Sequence, residues 1–131
     1  MKTLQLLPVL ALVATLAACA HEGPAFNAPP PNVKIVEMRS PLRFAPETLT
    51  ISRGQTVEWL NKAVETHTVT FDPANAGKPG EISLPAGVSP FDSGDIKSGQ
   101  VFSHTFAVAG TYHYICMPHH GLGMHGTIVV Q

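Results

Sequence analysis

Between Gly110 and Val130 the chain sets Cys116, His119 and Met124 close together in sequence, with Pro118, Gly121 and Gly123 among them. On an α-helix Cys116 and Met124 would stand about 12 Å apart along the axis, and Pro118 would break such a helix. A continuous strand would separate them further. The three side chains can reach one point only if a strand delivers Cys116, a tight loop doubles back through the glycines, and a second strand leaves after Met124. A strand–loop–strand ending is therefore imposed before any other part of the chain is considered.

The donors narrow what such a loop can hold. A thiolate and a thioether are soft ligands, and one imidazole stands beside them. Two histidines, one cysteine and a long, weak axial methionine make the electron-transfer copper arrangement, whereas structural zinc takes Cys and His in fours and gives Met no role. One histidine is missing from the loop. His67, in the alternating run 66–71 far upstream, is the candidate, because a two-sheet fold can lay that run beside the Cys116 strand. The competing reading is a buried structural cysteine in a glycine-rich turn, with His119 and Met124 nearby by coincidence.

The rest of the domain supports a sheet fold. Short β-rich runs at 33–35, 42–44, 49–52, 56–60, 66–71, 101–106, 111–116 and 127–130 are separated by turn signals such as Ser40-Pro41, Arg53-Gly54, Ser98-Gly99 and Ala109-Gly110. No segment keeps a helical period. The expected fold is all-β, a two-sheet Greek-key β-sandwich. Alternation puts Val57 and Trp59 on one face, and Tyr112, Tyr114 and Cys116 on one face of the penultimate strand, as the core beneath the site. Residues 72–90, polar and rich in Gly and Pro, read as a long connection between sheets with one short helical turn. A formal net charge of −1 gives no basic surface for nucleic acid.

The N-terminus has its own logic. Met1-Lys2 is a short positive region, the stretch after it is largely apolar, and Leu16-Ala17-Ala18-Cys19 closes it in the manner of a bacterial lipobox. Residues 1–18 are expected to be a signal peptide. Residues 19–32 form a lipidated Cys19 followed by a Pro-rich tether, and 33–131 form the domain. Ala20 allows outer-membrane sorting. With Cys19 acylated and Cys116 on a metal, no thiol remains for a disulfide, so the core and the ion must hold the fold.

These residues resemble a known family, the small blue copper proteins or cupredoxins, and within it the plastocyanin and pseudoazurin branch. The likeness is carried by the Cys116-x2-His119-x4-Met124 loop, the Gly110-Thr-Tyr-x-Tyr-x-Cys116 approach, Phe91-Asp-Ser-Gly94 with Phe102-Ser-x-Thr-Phe106, and the run from Thr56 to Asn61 before His67. It implies one type 1 copper per chain, held by Cys116 as thiolate, by His67 and His119 through imidazole nitrogen, and by Met124 from the axial direction. It further implies a monomeric, extracytoplasmic carrier of single electrons whose redox partners dock at the His119 edge, beside Met117, Pro118 and Leu122. Two positions depart from the family. Thr68 stands where an Asn usually ties the two ligand segments, and Ile115 stands where photosynthetic plastocyanins have an aromatic residue.

Two other functions compete with electron transfer. A copper-delivery protein of the cell envelope would use the extra histidines, His120 and His125, as a second weak metal site; exposed rim residues are the simpler expectation for both. A multicopper oxidase or reductase would flank its blue-copper cysteine with a histidine, whereas Cys116 lies between Ile115 and Met117. His104 is expected to pack at a strand edge, His113 to face solvent, and His21 to lie free in the leader.

Overall fold

Period-two alternation becomes burial most clearly in two strands. In β4 (Thr56–Asn61) and β7 (His125–Val130) each second side chain is buried, while those between are partly covered. The computed structural model describes residues 32–131, so the signal peptide, Cys19 and the tether lie outside the described residues. The remaining strands are β1 (Val33–Arg39), β2 (Arg43–Ala45), β3 (Thr48–Ile51), β5 (Val101–Thr105) and β6 (Gly110–Ile115).

They form two sheets, ordered β2-β1-β4-β5 and β3-β7-β6. β1 runs parallel to β4 and β3 parallel to β7, and the other neighbours are antiparallel. Parallel neighbours cannot be joined by a hairpin, so the chain crosses between sheets to make them. The expected two-sheet all-β sandwich is what the chain adopts. Val57, Trp59, Tyr112, Tyr114 and Cys116 are all buried in one core, as their alternation required.

The sheets are joined through a polar contact inside that core. Trp59 Nε1 donates to the Tyr114 hydroxyl at 3.0 Å, which satisfies the one indole donor that burial would otherwise strand. Tyr114 can lie so close to β7 only because Gly126 faces it: a Cβ there would come within 2.2 Å of the ring.

Residues 66–71 do not form the expected strand. The segment is extended but makes only isolated bridges, His67 with Ile96 and Thr70 with both Asp92 and Ile115. The physical reason is where its amides go. Thr68 N–H donates to Cys116 Sγ and Val69 N–H to Ser93 Oγ, so side chains take the donors that a ladder would need. All five residues from His67 to Phe71 are buried, which leaves no solvated face. Beyond it, the expected helical turn is a 3-10 turn at Pro73–Asn75, capped by Asp72, whose carboxylate accepts from Ala74 N–H at 3.0 Å.

The sandwich has two unlike poles. Asn32, Arg53, Gly54, Phe106 and Gln131 are hydrogen-bonded together at one, through Thr56 N–H to Asn32 O, Arg53 N–H to Gln131 O and Gly54 N–H to Phe106 O. Cys116 and His125 stand at the opposite ends of β6 and β7, six residues away, or about 20 Å at the rise of a strand.

Candidate metal centre

β6 carries Cys116 just past its last residue, and the chain then turns through a short 3-10 helix, Met117–Leu122. The expectation for this turn is a tight loop doubling back through the glycines. It is helical because Pro118 sits in its first turn, where an amide proton is not needed, and because Gly123 ends it in a left-handed conformation at φ 87°. Gly121 needs no such freedom. Cys116 N–H donates to Met124 O at 3.1 Å, closing the loop, and β7 begins at the next residue.

Three donor atoms meet above this turn. Cys116 Sγ lies 3.3 Å from His119 Nδ1 and 3.5 Å from His67 Nδ1, and the two imidazole nitrogens are 3.2 Å apart. Bonds of about 2.0–2.3 Å from one first-row ion to two imidazoles and a thiolate, spread at about 120°, would separate the donors by about 3.5–3.8 Å. The observed triangle is within a few tenths of an ångström of that. His67 and Cys116 are buried and His119 is half-buried. Met124, wholly buried, belongs to the same core cluster as Cys116, and its N–H donates to His119 O at 3.3 Å. Among the described residues no other three metal-ligating groups come this close.

The electrostatics suit a cation. Burial, then the neighbouring His119, pushes the His67 imidazole below its ordinary range, so its ring is neutral with a lone pair to give. Burial pushes the Cys116 thiol up, against the opposing donation from Thr68 N–H at 3.4 Å. A bare thiolate is thus disfavoured by its surroundings alone, and a bound cation is what would displace the proton. The donor set, two imidazoles and a sulfur with a thioether in the adjoining core, fits copper better than a hard ion.

Thr68 ties the two ligand segments in its own way. Met117 N–H donates to Thr68 Oγ1 at 2.8 Å, Thr68 Oγ1 lies 3.1 Å from Thr70 Oγ1, and the Thr70 hydroxyl donates to Asp92. Since the Asp92 carboxylate only accepts, the Thr70 proton is committed to it, and Thr68 must donate to Thr70. The relay therefore runs in one direction from the ligand turn to Asp92. Asn61 does similar work on the other side: its amide donates to Glu65 O and Ile96 O at 2.7 and 2.8 Å, and its carbonyl accepts from Ala63 N–H. Sequence reasoning gave no site role to Asn61, Thr70 or Asp92, although the first and last stand in runs that carry the family resemblance; a polar residue at a buried phase of β4 was the available signal for Asn61.

The other histidines sort by contact. His104 stacks on Phe91 with ring centroids 3.8 Å apart, as an edge histidine should, and His113 is exposed with Nδ1 3.0 Å from Thr127 Oγ1. His120 and His125 are neither a second donor cluster nor free rim residues. Both reach the carboxylate of Glu81.

Comparison with known proteins agrees with this geometry. Residues 31–131 match the sequence model of the copper binding proteins, plastocyanin/azurin family. A plastocyanin from Nostoc punctiforme is 36% identical over 129 residues, covering 95% of this chain and 91% of the relative. A plastocyanin from Scenedesmus fuscus is 38% identical over 103 residues, covering 76% and 97%. Among solved structures, a reduced amicyanin variant superposes with a TM-score of 0.60 at 29% identity, over 78% of this chain and 85% of that one.

Proposed function

Because this chain belongs to the plastocyanin/azurin family of copper-binding proteins, with one type 1 copper, an electron-transfer role and no enzymatic activity, we propose that it shuttles single electrons between extracytoplasmic redox partners. We assign the copper to His67, Cys116, His119 and Met124. The observation that carries the assignment is the triangle of Nδ1, Nδ1 and Sγ, all within 3.5 Å of one another at the buried end of the core.

One-electron cycling between Cu(II) and Cu(I) is the chemistry the ion supplies when bound. The residues do the rest. Cys116 and His67, buried, exclude water from the ligand plane, and the relay through Thr68 fixes the turn that bears His119. Four protein donors leave no open position for a substrate. His119 is half-buried beside Met117 and Leu122, which are 38% and 72% exposed, so electrons enter and leave at that apolar edge. Ile115, buried, offers no aromatic route through the neighbouring strand and argues against a photosynthetic partner. The carrier acts as a monomer. It is held at an envelope membrane by Cys19, which lies outside the described residues; among those described no helix is long and apolar enough to cross a bilayer.

A visible and EPR spectrum of the copper-loaded protein, with a potentiometric titration, tests the reading. An intense thiolate-to-copper band is expected, lost in Cys116→Ser; a colourless Cu(II) complex would overturn the carrier function. Met124→Leu should keep the colour and raise the potential, and loss of copper binding there would show the axial assignment to be wrong.

A further inference from the structure

Glu81 lies in the loop between the 3-10 turn at Pro73–Asn75 and β5, and its side chain is only 4% exposed. A buried carboxylate must be hydrogen-bonded to persist. The ligand loop supplies one hydrogen bond, from His120 Nδ1 to Oε1 at 3.2 Å, and brings His125 Nε2 to within 3.1 Å of the same oxygen, at ion-pair distance. Gly77 N–H donates to Oε2 at 2.6 Å, and His125 Nε2 also lies 3.1 Å from His120 O. Gly77 makes room for the arrangement, since a Cβ there would come within 2.6 Å of His120 Cε1. The grip is thus built sterically as well as electrostatically.

Its position matters more than its strength. His120 follows His119 and His125 follows Met124, so a single carboxylate holds both ends of the segment that bears two of the four assigned ligands. That segment has little of its own to keep its shape: a short 3-10 turn, with Gly123 N–H to His120 O at 2.9 Å and Met124 N–H to His119 O at 3.3 Å. We propose that Glu81 is a positioning residue for the copper site, clamping His120 and His125 so that His119 and Met124 are in place before the ion arrives.

The inference rests on the ligand assignment above, and its test begins without metal so that the two can fail separately. Amide hydrogen exchange of the metal-free protein should show Gly123 and Met124 exchanging at least about tenfold faster in Glu81→Ala, with Val57 and Trp59 of β4 unchanged. Glu81→Gln, which keeps an acceptor at Oε1, should restore most of the protection. Gly77→Ala keeps the carboxylate but drives a methyl into the His120 ring and crowds Glu81 Oε2, so it breaks the same contact from the other side; it should reproduce the Glu81→Ala pattern and serves if that variant does not fold. In the copper-loaded protein Glu81→Ala should shift the reduction potential and slow electron self-exchange by about tenfold. Unchanged exchange at Gly123 and Met124, or equal acceleration at every amide, would overturn the clamp. Failure of the wild type to take up Cu(II) would overturn the ligand assignment instead, leaving the exchange pattern to decide on Glu81.

Discussion

Thr68 shows how one hydroxyl can carry a tie between distant segments. Its oxygen accepts from Met117 N–H and its proton goes to Thr70, so replacing it with a shape-matched apolar residue leaves a part-buried amide without its acceptor, while Thr70 loses one donor and keeps its bond to Asp92. Leaving such an amide unpaired costs about 1–3 kcal/mol. Thr68→Val should therefore lower the melting temperature of the metal-free protein by several degrees in a calorimetric scan, at about 4–8 °C per kcal/mol for a domain of this size. It should also hasten copper loss to a chelator, because the turn bearing His119 is loosened. The substitution leaves the Thr68 N–H to Cys116 Sγ contact in place, so the blue colour should survive.

The β6–β7 pair is the element on which the site depends, and its register sets Tyr114 opposite Gly126 and Ile115 opposite His125. Gly126→Ala would push the Tyr114 ring off β7 and away from the Trp59 indole. Overpacking of this kind costs about 1–3 kcal/mol; the expected outcome is a lower urea midpoint and a changed tryptophan emission, with the loop itself intact. This pair was the most legible part of the sequence, because period-two alternation and the Cys-His-Met spacing both act over a few residues. The 66–71 run was misread for the opposite reason. Its polar and apolar residues alternate like a half-exposed strand, yet Thr68 and Val69 give their amides to the side chains of Cys116 and Ser93, which come from far along the chain. Glu81 was invisible on the same ground: nothing near it in sequence marks it as the partner of His120 and His125.

At the scale of the whole molecule, the domain folds around imidazoles kept neutral. Burial holds His67 and His104 below the ordinary histidine range. Between the ordinary value, about 6.5, and the lower folded values, the unfolded chain binds protons that the folded one refuses. Stability of the metal-free protein is therefore full above about pH 6.5 and falls as pH drops through it. Urea midpoints measured across pH 4–8 should show this acid arm, and His104→Phe, which preserves stacking on Phe91, should make it shallower. The two poles of the sandwich bear on the proposed membrane tether. The described chain enters at Asn32, at the same pole as Gln131, a strand's length from the imidazole edge. An anchor pulling on that entry and a partner settling on Met117 and Leu122 would grip the molecule from opposite sides, so being moored to a bilayer need not obstruct the exchange of electrons.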